Sequence, residues 1–142
     1  MTSGPAAPAR DETVDSLLAF LTTSCVSCQK HWEMMTAAPE GLAGAARLVV
    51  VTPSRSMDDE LRARRMTPPG AYLHMGSETW FMYGVGQAGT FVLVRSRRDG
   101  PPPWAEAGLV LGSATVDDPA RLAGLVRSWQ EGAPSARGGP GA

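Results

Sequence analysis

The stretch TTSCVSCQKHW, residues 22–32, holds the two cysteines of the chain, Cys25 and Cys28, three positions apart. Such spacing serves dithiol–disulfide exchange, half of a metal site or covalent haem attachment, and it also occurs between two small core residues with no chemistry at all. Haem attachment requires a histidine directly after the second cysteine, and position 29 is Gln. A zinc site would draw on Cys25, Cys28, His31 and His74, four ligands of suitable type. Structural zinc sites, however, commonly bring two separated ligand pairs on loops, and one pair is present here.

The elements that must position the pair separate these readings. Cys25 falls where the buried run SLLAFL (16–21) ends and the helical pattern VSCQKHWEMMTAA begins. A thiol at a helix start meets unpaired backbone N–H groups and the positive end of the macrodipole, both of which stabilise thiolate. Cys28, one turn further in and on one helix face with Trp32 and Met35, is expected to be less exposed. That asymmetry suits exchange, in which an accessible nucleophile attacks and a second thiol resolves the mixed disulfide.

Further apolar runs follow at RLVVV (47–51), AYLHM (71–75), TFVLV (90–94) and AGLVLG (107–112), the stronger of them continuous enough for strands buried on both faces. Ser56 and Asp59 have capping-box spacing, which predicts a helix over 57–66 with Arg62, Arg64 and Arg65 toward its C-terminal end. Asp118, Pro119 and the series Leu122, Leu125, Val126, Trp129 predict a last helix that stops at Gly132. The turn-rich RRDGPPPW (97–104) predicts an antiparallel hairpin of 90–95 with 106–112. The fold class is therefore α/β, a central mixed β-sheet flanked by helices.

A length of 142 residues with 43% hydrophobic content bounds the chain to one domain with its own core. The expected divisions are a flexible tail over 1–13, a folded domain over 14–131 and a second tail over 132–142, both tails rich in Gly, Pro, Ala and Ser. A net charge of -1 offers no basic field for phosphates, so nucleic acid is not the expected partner. The sequence shows no secretory h-region and no membrane span, and the chain is expected to be soluble, either cytoplasmic or an extracytoplasmic domain without its anchor.

LLAFLTTSCVSCQKHW resembles the active-site strand and helix of thioredoxin-fold proteins. SETWFMYGVGQAGTFVLVRS is similar to the later segment in which a helix ending in Tyr-Gly-Val leads to a loop and a central strand. With RLVVVTPSRSMDDELRARR the resemblance covers nearly all of 16–131, and it is to the TlpA-like thiol-disulfide proteins, including those of methylamine utilisation and cytochrome maturation. It implies a thioredoxin-like fold, Cys25 as attacking thiol and Cys28 as resolving thiol. Ala88, Gly89 and Thr90 would form the substrate-binding loop, with Trp80 as a candidate lining residue. The implied partners are protein thiols or disulfides and an upstream thiol reductant, with no cofactor and no resident metal.

The chain departs from relatives in three places. Gly89-Thr90 stands where they have a cis-proline followed by Thr. Ala19 stands where many thioredoxins carry a buried acid beneath the pair. The N-terminal stretch leaves little room for the extra strand or hairpin common in this group. A proline at 89 is expected to raise disulfide reduction and to lower adventitious metal binding; the 88–89 bond is expected to be trans, and a trans bond or a positive φ at Gly89 would strain the proline. Two alternatives share the fold: a peroxiredoxin-like thiol peroxidase and a redox-inert binding module. For the first, Thr22 gives Thr-x-x-Cys, but Leu18 replaces the motif proline and no arginine precedes TFVLV.

Overall fold

The structure is a computed structural model that describes residues 12–24, 28–37 and 46–132. The expected tails fall almost wholly outside the described residues, as do Cys25, Val26 and Ser27. The run TVDSLLAF becomes β1 (Thr13–Phe20), whose last five residues are buried. It lies at the centre of a five-stranded sheet of order β3-β2-β1-β4-β5. The other strands are β2 (Arg47–Thr52), β3 (Tyr72–Met75), β4 (Thr90–Arg97) and β5 (Leu109–Thr115).

Strands β1, β2 and β3 run parallel, which requires the crossovers that carry α1 (Gln29–Ala37) and α2 (Glu60–Met66). β4 returns antiparallel to β1 after α3 (Ser77–Met82), and β5 pairs antiparallel with β4 as the hairpin pattern predicts. α4 (Pro119–Glu131) closes the chain. Asp118 caps it, accepting from Ala120 N at 3.3 Å, and Pro119 opens it.

Alternate residues of the central strands bury opposite faces. Leu17, Ala19, Leu21, Val50, Phe91 and Leu93 pack with Cys28, Trp32 and Met35 of the first helical segment and with Leu122 and Val126 of α4. Leu18, Phe20, Val49, Val51, Val92 and Val94 pack on the other face with Trp80, Tyr83, Val85 and Trp104. That second layer is fastened by Tyr83, whose hydroxyl donates to Pro103 O at 2.7 Å and accepts from Gly108 N at 3.1 Å. Burial lifts the Tyr83 phenol above its ordinary pKa, so it stays a neutral donor.

Two of the boundaries that differ from expectation have a local cause. α2 starts at Glu60 rather than 57, because Met57 N and Asp58 N both donate to Ser54 O and form a separate turn, leaving Asp59 as the cap that accepts from Arg62 N. β5 starts at Leu109 rather than 106, because 101–108 belongs to the layer held by Tyr83 and Thr79. Opposite Leu93–Val94 the register skips Leu111, a bulge next to Gly112. A Cβ at Gly112 would overlap the indole of Trp129, so its absence lets α4 lie down on the sheet.

Candidate active site

The C-terminal ends of β1 and β2 and the N-terminal end of β4 meet at one edge of the sheet, and the segment leading to Cys25 crosses it. Leu21 N donates to Val51 O at 3.1 Å, so the chain is still tied to the sheet one residue past β1. Trp32, 2% exposed, reaches back from α1 and donates Nε1 to Thr22 O at 3.0 Å. Thr23 N donates to both carboxylate oxygens of Asp58, at 3.2 and 3.1 Å, and the Thr23 hydroxyl donates to Oδ1 of the same group. Three consecutive residues are thus fixed from three directions before the exposed Ser24.

Cys25 itself lies outside the described residues. Cys28, 1% exposed, immediately precedes α1 and packs in the same cluster as Leu17, Ala19 and Trp32. Ala88 packs partly buried against that cluster too. Gly89 follows with φ of +92° and donates its N–H to Phe20 O at 2.8 Å. Thr90 donates its hydroxyl to Gln87 O at 2.8 Å and sits 3.1 Å from the Thr115 hydroxyl. Of the four residues proposed for substrate contact, Ala88 packs on the Cys28 face and Gly89 abuts His31 there, while Thr90, alternate to Phe91 and opposite Phe20, belongs to the other face of the sheet.

Trp80 lies elsewhere. It packs across the sheet with the second cluster, edge-on to Phe20 at 5.3 Å between centroids. His74 lies on that far face as well, stacked on Trp104 at 6.0 Å, with its pKa lowered by burial. His31 and His74 thus stand on opposite faces, so the four ligands weighed for zinc do not converge. Among the described residues no three His, Cys, Asp or Glu side chains are arranged to hold a metal ion.

His31 is the residue that the sequence pattern undervalued. It is buried on α1, 6.1 Å from the Phe91 ring, and its Nδ1 meets no hydrogen-bond partner among the described residues. A Cβ built on Gly89 would lie 2.7 Å from His31 Cε1 and 2.9 Å from Nε2. The imidazole occupies the space that any larger residue at 89 would need. Burial lowers the His31 pKa, opposed by a hydrogen bond to the Val116 backbone and by the charge of Asp117, while Lys30 reinforces the lowering.

The trans bond expected before Gly89 is present, and with a positive φ it meets the condition that strains a proline at 89. Among the described residues no peptide bond is cis. Proline holds φ near -65° and has no N–H, whereas Gly89 has positive φ and uses its N–H. A proline here would lose the bond to Phe20 and collide with His31.

An open groove of about 470 Å³ begins beside Ser24 and runs over Thr23, Arg55, Met57, Asp58 and Arg62. Nothing in the local sequence pattern marks it, because it forms between the loop after β1 and the turn after β2.

The fold has counterparts among solved structures. StoA from Bacillus subtilis superposes with a TM-score of 0.51 at 17% identity, covering 82% of each chain. A protein from Bacteroides vulgatus, provisionally assigned as a thiol-disulfide oxidoreductase, superposes with a TM-score of 0.52 at 19% identity, covering 83% of this chain and 74% of the other. The fold is thioredoxin-like. No family model matches the chain, and no curated protein matches it in sequence.

Proposed function

We propose that this thioredoxin-like protein is a thiol-disulfide oxidoreductase acting on protein disulfides, with Cys25 attacking and Cys28 resolving. One observation carries the reading: Cys28 is buried directly ahead of the helix that follows the central strand, on the same face as Ala88 and beside the loop that opens β4. A shielded second thiol next to a substrate loop is what resolution of a mixed disulfide requires. The three anchors on residues 21–23 support it, because they hold the approach to Cys25 at a fixed place on the sheet edge.

The direction we assign is reductive, with an upstream thiol system renewing the dithiol. Val26 and Ser27 place no positive charge between the cysteines, the feature by which strong oxidants hold their thiolate. The test is disulfide reduction with insulin as substrate. Cys25→Ser abolishes turnover, whereas Cys28→Ser gives a protein that attacks once and remains covalently joined to its substrate. Faster alkylation of Cys28 than of Cys25 at neutral pH would reverse the assignment.

A further inference from the structure

Resolution needs Cys28 as a thiolate, and β1 provides no base for it. Ala19 stands under the cysteine, buried and apolar. Asp15, the acid of β1, lies four residues away, about 13 Å along an extended strand. It is engaged by Arg95 at 2.7 and 2.9 Å and by Gln130 at 3.0 Å.

His31 does come to that side. It follows Cys28 by three residues, a spacing at which helical neighbours have Cβ atoms about 5–6 Å apart. One water or a small rotation of the thiol bridges such a separation. His31 is 9% exposed, its Nδ1 has no hydrogen-bond partner among the described residues, and a hydrogen bond to the Val116 backbone opposes the lowering of its pKa by burial. With Nε2 as the protonated nitrogen, Nδ1 presents a lone pair that can accept a proton. An acceptor buried without a donor is destabilising unless a donor arrives. Gly89 fixes the ring, because its missing Cβ is the space the imidazole fills. The charged groups around the ring are Lys30 on α1 and Asp117 after β5, while the 88–91 segment brings none.

We propose that His31 is the proton acceptor for Cys28 in the resolving step. The proposal rests on the exchange reading above. The thiol proton of Cys28 passes to Nδ1, and a bond forms between the sulfurs of Cys28 and Cys25. The bond from Cys25 to the substrate sulfur breaks with its electron pair on the substrate, which then takes the proton back from the imidazolium. The protein dithiol loses two electrons and the substrate disulfide gains them.

The test uses 5,5′-dithiobis(2-nitrobenzoate) against the reduced full chain. The first release of nitrothiobenzoate reports attack by Cys25, and the second reports resolution by Cys28. His31→Asn and His31→Phe are expected to leave the first phase within about twofold and to slow the second by at least about tenfold, the low end of general-base effects. The second phase in the wild-type protein should level off above an inflection at or below about pH 6.5, the ordinary histidine value. In the variants that inflection disappears, and added imidazole restores rate to His31→Ala. An unchanged second phase with an unchanged pH profile in a folded variant overturns the role. If the variants do not fold, a wild-type second phase that rises only through the thiol range overturns it too. A wild-type protein that completes the first phase and never the second overturns the exchange reading, and the role of His31 with it.

Discussion

Cys25 and Cys28 are legible as a pair because spacing and a preceding apolar run are local properties. The contact between His31 and Gly89 is not, because it joins a helix to a loop far along the chain, and a glycine in sequence says only that a side chain is absent. The structure supplies the reason, a positive φ together with an imidazole where the Cβ would be. Gly89→Ala should therefore destabilise the protein by about 2–4 kcal/mol, from disfavoured backbone and overpacking together. The cost should shrink in a His31→Ala background, since the overpacking part then vanishes while the backbone part stays. Denaturant unfolding of the four proteins measures the coupling, and full additivity would show that the two residues do not share the space.

At the scale of elements, the buried strands were readable from their unbroken apolar runs, and α4 from its cap, its proline and its 3.6-residue period. The start of α2 was not, since Ser56 and Asp59 satisfy a capping pattern while the backbone at 57–58 is drawn to Ser54 instead. That displacement has a consequence for the site. It frees Asp58 to hold Thr23, whereas its neighbour Asp59 caps α2. The two adjacent acids should then separate by experiment. Asp59→Ala should cost about 1 kcal/mol of stability with little change in Cys25 reactivity. Asp58→Ala should cost about 1.5–3 kcal/mol, the range for bonds to a charged acceptor, and should also slow disulfide reduction by loosening the approach to Cys25. Urea unfolding and alkylation rates check both, and equal effects on Cys25 alkylation would show that the Asp58 anchor does not govern the thiol.

The whole molecule joins the sheet edge beside Cys28 to two packed faces, with His31 buried in one and His74 half-buried in the other. Burial lowers both pKa values, so the unfolded chain takes up protons near pH 6.5 that the folded chain refuses. Stability should accordingly fall as pH drops below about 6.5 and stop falling on this account once the folded pKa values are passed. A urea midpoint lower at pH 5.5 than at pH 7.5, with a smaller difference in His31→Phe, is the expected result; an identical difference would remove His31 from the account. What the sequence pattern conveys at this scale is the α/β class and the hairpin, which follow from the order of apolar runs. The partition of residues between faces, which separates His31 from His74 and Cys28 from Trp80, emerges only once the register of β1 to β5 is known. That Cys25 and Cys28 form one exchanging couple is checked by equilibrating the protein in glutathione buffers and following the Cys25–Cys28 disulfide by mass spectrometry. A single two-electron transition between about -270 and -180 mV is expected, in the range of cellular thiol couples. A potential near -120 mV would contradict the reductive direction, and the absence of any disulfide between the two cysteines would contradict the function itself.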